Sequence, residues 1–584
     1  MTKTAAPPAV QAANQPTAKP PTHSAQQPAQ PPATAPPPAT RPAPHTADLG
    51  RLVQDTLPML CDWLPRQRWF AGKGHPVTAI VPAAITLLPG GRPGDPLLLH
   101  LLLRVEQAGQ DGTPGSELYQ LLLGARPGPA PARLTSDAAQ AAVIGRISGG
   151  PHDGLLTYDA AYDEVLTLRL LSLLTAQGGR PEQGRTEPEN RTEAQGRTEA
   201  QERSEAQAPQ AAQVGPLRFS SLGGLGEGAG RGLPGPAGGA PARVGTAEQS
   251  NTSIVFGDTS ILKLFRRVAP GLNPDLELSL ALSRAGSTRV PSTLAWFESE
   301  LPAASEQPDP ATGPGSAGQL ATLGLLQRFL SGGRDGWEFA LGHVRELRAD
   351  PEKAEQLTGN FSAESFLLGR STAEIHLALA RALPVSVLGR ADVEALASSM
   401  ALRLDAAALV APALVPYREP LHRIFRALAD SAREGRLLRA QRIHGDLHLG
   451  QSMRTARGWM LLDFEGEPAK SLAERRRPQP AVRDVAAMLR SFDYAAAHLL
   501  TEVAPDDAQR PRLAGLAATW AGRNREAFLA GYAAAGADDP TADPLLLHAL
   551  ETDKAVYEVV YEARNRPDWL PIPLSAIARL ARSA

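Results

Sequence analysis

Apolar residues first recur at helical spacing at Leu49, Leu52, Val53, Leu57 and Leu60, which predicts an opening helix from about residue 47. Strand-like runs follow over 80–88, 97–105 and 118–123, with Gly/Pro turns between them. Thr157-Tyr158-Asp159 then leads into an apolar helix over 160–174. Together 48–175 read as a small α+β unit. Residues 1–47 are mostly Pro, Ala, Gln and Thr, cannot bury a core, and are expected to be a disordered tail. Residues 176–241 are low in complexity, with Arg-Thr-Glu units near 185, 191 and 197. That repeat is far too short for a solenoid, so a solvated insertion or linker is expected.

Patterned sequence returns at 242. Ile254-Val255-Phe256, the turn Gly257-Asp258, and Ile261-Leu262-Lys263-Leu264-Phe265 predict a β-hairpin. Asn273-Pro274 is an N-cap with Pro at N1, opening a helix through Arg284 that stops at Gly286. Strands are expected over 290–297 and 321–329, around a loop rich in Pro, Gly and Ser. Residues 242–330 thus form one lobe, and 331–584 a second, mostly helical one, with helices expected over 337–348, 362–382, 391–402 and 417–440.

Composition narrows the class. A chain of 584 residues needs two or three domains. A net charge of −2 argues against nucleic acid or an anionic membrane as a partner. Cys61 is the single cysteine, so neither an intrachain disulfide nor a cysteine metal site is expected. No run of ~20 apolar residues predicts a membrane span, and residues 1–45 lack the apolar stretch of a signal peptide, so a cytoplasmic protein is expected. Only 7 of the 59 basic residues are Lys, so a lysine in an apolar setting stands out.

The candidate chemistry lies in two loops. Ile443-His444-Gly445-Asp446-Leu447-His448-Leu449-Gly450-Gln451 places a carboxylate five residues before an amide. A short hairpin later, Asp463-Phe464-Glu465-Gly466-Glu467 adds more carboxylates. Phosphoryl transfer needs this inventory: one carboxylate to orient the acceptor hydroxyl, and oxygen ligands to hold Mg²⁺ on the phosphates. Kinase catalytic loops show the same spacing from base to metal-binding carboxamide, then to a metal-binding Asp, although here Gln replaces Asn and Asp-Phe-Glu replaces Asp-Phe-Gly.

Other residues fit that frame. Lys263 sits among apolar neighbours, where it needs a partner, and Glu277 in the first turns of the next helix is the expected one. Ser250, Asn251, Thr252 and Ser253 would lie over the phosphates, and Gln327 opens an interlobe hinge where adenine would bond backbone groups. His376 reads as a core or cap histidine, and Asp484 as a brace behind the catalytic loop. The Arg475-Arg476-Arg477 run suits phosphate or paired carboxylates equally. Trp63, Arg66, Arg68, Trp69 and Phe70 either tie the first helix to a sheet by Arg–Trp stacking or form a binding surface. Near the C-terminus, Tyr557, Glu558, Tyr561, Arg566 and Trp569 suit a sugar's hydroxyls and C–H faces, or plain helix packing.

Five stretches together resemble the maltokinases: W-L-P-R-Q-R-W-F-A-G-K-G, Q-S-N-T-S-I-V-F-G-D-T-S-I-L-K-L-F-R-R, H-G-D-L-H-L-G-Q, L-L-D-F-E-G-E-P and R-D-V-A-A-M-L-R-S-F-D-Y. The resemblance spans about 50–582 outside the 176–241 insertion, whose presence departs from the family's pattern. It implies an α+β, bilobal, protein-kinase-like (aminoglycoside phosphotransferase-like) fold with an N-terminal α+β cap subdomain. It also implies ATP- and Mg²⁺-dependent phosphorylation of maltose to maltose 1-phosphate, feeding α-glucan (glycogen) synthesis, with trehalose synthase in another chain as a partner. By position, Asp446 resembles the catalytic base, Gln451 and Asp463 the Mg²⁺ ligands, Glu465 a further ligand, and Lys263 the ATP-phosphate lysine. His448 and the tyrosine-rich tail would then face the sugar. Two other readings stay open: a kinase-fold phosphotransferase for another small hydroxyl compound, of aminoglycoside type, and a non-catalytic scaffold for trehalose synthase.

Overall fold

The computed structural model describes residues 46–582 apart from 177–209, 223–240, 302–318 and short breaks at 93, 109–113, 132–133, 135–139, 246–249, 351–353, 469, 501–502 and 505. The expected tail over 1–45, the Arg-Thr-Glu repeats and most of the loop between the third and fourth lobe strands lie outside the described residues.

The opening helix α1 (Thr46–Trp63) lays Leu49, Leu52, Val53 and Leu60 on a six-stranded sheet. That sheet runs β1 (Val77–Leu87), β2 (Leu97–Ala108), β3 (Pro114–Arg126), β5 (Leu156–Asp159), β4 (Val143–Arg146). In β2, Leu99, Leu101, Leu103 and Val105 face α1, while Leu98 and Leu102 enter a second core shared with α2 (Glu164–Thr175). Burial on both faces explains why β2 reads as an almost unbroken leucine run rather than an alternating one. The helix expected over 160–174 begins as a 3-10 turn at Ala160–Tyr162; Asp163 then caps α2 through the Val165 and Leu166 amides.

The second sheet has the order β6 (Gln210–Val214), β7 (Leu217–Ser221), β12 (Thr293–Glu300), β13 (Leu320–Arg328), β10 (Ser260–Leu264), β9 (Thr252–Phe256), β8 (Ala242–Val244). The hairpin of β6 and β7 corrects the linker expected over 176–241: residues 210–221 are built into the edge of the lobe sheet. Leu217 and Phe219 point to the core there, a short alternation that the surrounding low complexity hides. The two sheets interlock. Directly after β10, β11 (Arg267–Val268) leaves the second sheet and pairs with β3 of the first, Arg267 opposite Tyr119. Asn273 caps α3 (Pro274–Arg284) by accepting from the Asp275 amide, and Gly286, at φ +71°, lies two residues past its end.

The helical lobe contains α4 (Gly336–Ala349), α5 (Ala354–Ala382), α6 (Arg390–Val410), α7 (Arg418–Arg433), α8 (Val482–Ala497), α9 (Arg510–Ala534), α10 (Pro544–Asn565) and α11 (Pro571–Arg582). Helices α5 and α9 cross with backbones in close approach: a Cβ at Gly369 would meet the Phe528 carbonyl at 2.0 Å, and one at Gly531 the Phe366 carbonyl at 1.9 Å. The helix expected over 417–440 ends early. Gly435, at φ +95°, turns the chain, and β16 (Leu438–Ala440) pairs with β15 (Ser386–Leu388). The helix expected over 391–402 runs on to Val410, because Leu404 and Ala407 continue its buried face. In α10 the buried acids each meet arginine: Glu551 with Arg525, Asp553 with Arg403, Glu558 with Arg490, Glu562 with Arg566. Between the lobes, β14 (Arg334–Asp335) joins the hairpin β17 (Ser452–Thr455) and β18 (Gly458–Leu461), which separates the two carboxylate loops. Among the described residues, no helix is long and apolar enough to cross a membrane.

Candidate active site

Strand alternation turns Lys263 inward to Phe265, whose ring centroid is 5.6 Å from the ammonium. Nζ reaches Asp275 at 3.0 Å, Asp463 at 2.6 Å and Glu465 at 2.7 Å. The expected partner was Glu277, and the structure corrects that assignment. Two residues along a helix rotate a side chain by about 200°, so Asp275 faces the hairpin and Glu277 faces away. Glu277 instead binds Arg442 at 2.7 Å and Arg476 at 3.3 Å. Asp275, 2% exposed, also accepts from the Phe464 amide at 3.1 Å and so fastens the second carboxylate loop to α3.

That loop is strained at one residue. Asp463, at φ +61°, is the one non-glycine residue with positive φ among those described, a conformation that clusters at functional sites. Its Oδ2 accepts from the Gln451 amide at 3.1 Å, which brings the two loops' candidate metal ligands together. Burial opposes ionisation of Asp463, but Lys263 outweighs it and holds the carboxyl below its ordinary range. Glu465 goes the other way. Burial, with the charges of Asp463 and Asp275 and against the pull of Lys263, pushes it up to about 7. The Asn251 amide donates to Glu465 at 2.6 Å, so the 250–253 loop touches the carboxylate cluster directly.

The first loop is held from behind. Asp484, 1% exposed on the first turn of α8, accepts from the His444 amide at 2.7 Å and the Gly445 amide at 2.9 Å. His376 bonds Asp484 at 2.9 Å and the Tyr532 hydroxyl at 2.8 Å, which is the core role read from its surroundings. His444 bonds the Leu462 carbonyl at 2.8 Å, and its ring lies 4.7 Å from that of Phe464, so the loops are also tied to each other. Gly445, at φ +84°, backs onto Gly466: an added Cβ would lie 3.4 Å from the Gly466 Cα. His448 accepts from the Gly450 amide at 3.1 Å, and burial lowers its pKa against the opposing charges of Asp446 and Asp463.

Besides Asp275, a second residue absent from the sequence reading is Lys554, on α10. Its ammonium lies 3.2 Å from Asp446, 3.4 Å from Glu467 and 5.1 Å from the Tyr557 ring. Burial would lower its pKa, but Asp446 and Glu467 raise it well above the ordinary value. Glu467 is buried too, yet Lys554 and Lys470 pull it down to about 2. The signal was available, since lysine is scarce in this chain.

The remaining candidates fall into two groups. Tyr557 and Tyr561 are stacked at 6.4 Å and remain 38% and 43% exposed beside Lys554. Glu558 turns inward to Arg490, Arg566 pairs with Glu562, and Trp569 stacks on Tyr494. Gln327 sends its side-chain amide to Ser279 at 3.2 Å. Asn251, Thr252 and Ser253 are buried, and Ser250 is exposed. Arg475 and Arg476 are taken up by the Glu465 carbonyl and by Glu277. Trp69 does carry a stacked arginine at 4.7 Å, but it is Arg266 rather than Arg66 or Arg68.

As a metal site, Asp275, Asp463 and Glu465 place carboxylate oxygens within 4.8 Å of one another, with Gln451 alongside. An all-oxygen set of this kind fits Mg²⁺.

Two lobes, a buried lysine between a hairpin and a helix, and paired carboxylate loops define a fold of the bilobal, protein-kinase-like class. Comparison with known proteins agrees. Residues 63–163 match the family model of the maltokinase N-terminal cap domain. A glucosamine kinase of Streptacidiphilus jiangxiensis is 28% identical over 342 residues, 56% of this chain and 70% of the relative. One of Mycolicibacterium smegmatis is 27% identical over 347 residues, 57% of this chain and 78% of the relative. Among solved structures, a glucosamine kinase in complex with glucosamine, ADP and inorganic phosphate aligns with a TM-score of 0.56 at 19% identity, covering 89% of this chain and 98% of that one. A second crystal form aligns at 0.57 and 20% identity, covering 89% and 97%. The chain thus resembles the maltokinases in its N-terminal cap region and the glucosamine kinases over more than half of its length, and it shares the latter's fold.

Proposed function

We propose that the protein is an ATP-dependent sugar kinase that phosphorylates a neutral sugar, maltose, to maltose 1-phosphate. The sugar-kinase class is supported by the named relatives and the cap. The choice of a neutral acceptor rests on one observation: the Lys554 ammonium, 3.2 Å from Asp446 and 3.4 Å from Glu467. A protonated amino sugar entering there would meet a fixed positive charge, and its own ammonium would find the two carboxylates engaged. Tyr557 and Tyr561 offer a sugar ring a partly exposed aromatic face next to that lysine.

In this reading Asp446 accepts a hydrogen bond from the anomeric hydroxyl and takes its proton as the sugar oxygen bonds to the γ-phosphorus of ATP and the bond from that phosphorus to the bridging oxygen breaks, with ADP as the leaving group. Lys263 moves its contacts from the carboxylate cluster to the phosphate oxygens, and the 250–253 loop covers them. Gln451, Asp463 and Glu465 would hold Mg²⁺, which would supply neutralisation of the phosphate charge. The α-glucan pathway and a trehalose synthase partner follow only from the maltokinase likeness. Glucosamine is the second reading, supported by the relatives' names.

A panel of maltose, glucosamine, glucose, trehalose and kanamycin, with Mg-ATP and ADP release as the readout, tests this. Turnover with maltose and not glucosamine supports the first reading; the reverse supports the second. ADP release with none of the sugars overturns both.

A further inference from the structure

Arg266 and Arg490 are the two arginines with no exposed surface among the described residues. Arg490 is paired with acids of the helical lobe, Glu558 and Asp493. Arg266 lies elsewhere, in the two-residue passage, Phe265 and Arg266, between β10 and β11, where the chain crosses from the lobe sheet to the cap sheet.

Its three contacts join three pieces of the molecule. Nε donates to Thr252 Oγ1 at 2.8 Å, at the start of β9 and within the loop assigned above to the nucleotide phosphates. Nη2 donates to Asp159 at the end of β5 in the cap, 1% exposed on its side chain. The guanidinium stacks on Trp69 of the cap at 4.7 Å. The passage is also pinned through its backbone: the Arg266 carbonyl accepts from the Gln120 amide at 2.9 Å, and the Gln120 side chain donates to the Phe265 carbonyl at 2.8 Å.

A buried ion pair is weak evidence for stability, because desolvation offsets most of its attraction. Nη1 of Arg266 is buried without a hydrogen-bond partner. What the geometry does supply is direction. With Asp159 and Trp69 fixing the guanidinium plane, Nε can meet Thr252 in one orientation only. Asn251, one residue earlier, bonds Glu465 at 2.6 Å, so the same stretch runs on into the carboxylate cluster.

We propose that Arg266 is a positioning residue through which the cap sets the 250–253 loop over the nucleotide, so that a cap residue, Asp159, controls affinity for ATP. This rests on the reading of that loop as the phosphate cover.

The full chain tests it in the variants Thr252→Val, Thr252→Ser, Asp159→Asn and Arg266→Met. Valine keeps the branched shape that suits β9 and removes only the acceptor oxygen. Hydrogen bonds to charged groups are strong enough that Thr252→Val and Asp159→Asn should each raise KM for ATP about tenfold. Arg266→Met should do at least as much. For Asp159→Asn and Arg266→Met the acceptor KM should be unchanged and kcat within about twofold, while Thr252→Ser, which keeps the hydroxyl, should restore most of the ATP affinity that valine loses. Binding of a fluorescent ATP analogue should weaken by the same factor. Unchanged nucleotide affinity in Thr252→Val and Asp159→Asn overturns the proposal, as does a loss of activity that follows the folded fraction and leaves both KM values alone. Wild-type protein that binds the analogue but turns over no sugar would refute the sugar-kinase reading while leaving the cap test intact. Wild-type protein that binds no nucleotide refutes both.

Discussion

Lys263 and Lys554 meet the same loop from different lobes. Lys263, on a strand, takes Asp463 and Glu465; Lys554, on a helix, takes Glu467 together with Asp446. The first cluster has three carboxylates within 4.8 Å of one another around a single ammonium. It keeps an excess of negative oxygen, which suits a hard divalent cation. The second is closer to neutral, since Lys470 also binds Glu467 at 2.6 Å. One loop thus presents an anionic side that suits Mg²⁺ and a balanced side that suits an uncharged acceptor.

The sharpest way to break this division is Asp446→Asn. The rate should fall by at least ~10²-fold, in keeping with general-base contributions, while calorimetric ATP binding is preserved. A near wild-type rate would remove Asp446 from the chemistry. Next is Lys263→Met, which leaves Asp275, Asp463 and Glu465 without their cation. Losing one partner of a buried pair costs about 3–5 kcal/mol, so urea unfolding should show a loss of that order in the absence of Mg²⁺. Added Mg²⁺ should restore part of it.

A pH titration provides a control in the cap, away from both lysines. His100 is buried against Gln120 and Phe297, and burial lowers its pKa to about 4 from an ordinary 6.5. Between those values the unfolded chain binds the proton and the folded chain does not, so stability falls as pH drops through the window. From pH 7 to pH 5 the loss from this group is about 2 kcal/mol. Replacing His100 by Gln should flatten that part of the stability–pH curve, which urea midpoints at the two pH values would show. The smallest effect expected is for Lys554→Met. The acceptor KM should change by about tenfold, with KM for ATP unchanged, and the preference should move toward amine-bearing sugars. A change in ATP affinity instead would merge the two clusters into one.

The two lysines also mark how far the sequence could be read. Lys263 was visible because it breaks an apolar strand with period two beside a turn, and every element of that hairpin is local. Asp446, Gln451 and Asp463 were visible through spacing alone, and the structure links Gln451 to Asp463 at 3.1 Å. Asp484 was read as a brace and is one, with two amide hydrogen bonds to the loop. The partner of Lys263 was misassigned because Asp275 and Glu277 both suit a helix start, and only the rotation of α3 separates them. Lys554 lies 108 residues from Asp446, on a helix whose other buried charges are all acids. No local pattern points from one to the other, and only the scarcity of lysine could have raised it. The β6–β7 hairpin was hidden for a different reason: its five-residue strands are shorter than the low-complexity sequence around them.

The most direct measurement is ³¹P NMR of the products formed from Mg-ATP with maltose and, separately, with glucosamine. The account predicts a new anomeric phosphate signal with maltose, absent in Asp446→Asn, and none with glucosamine. A phosphorylated amino sugar without a maltose product, or ATP consumed to inorganic phosphate alone, would contradict it.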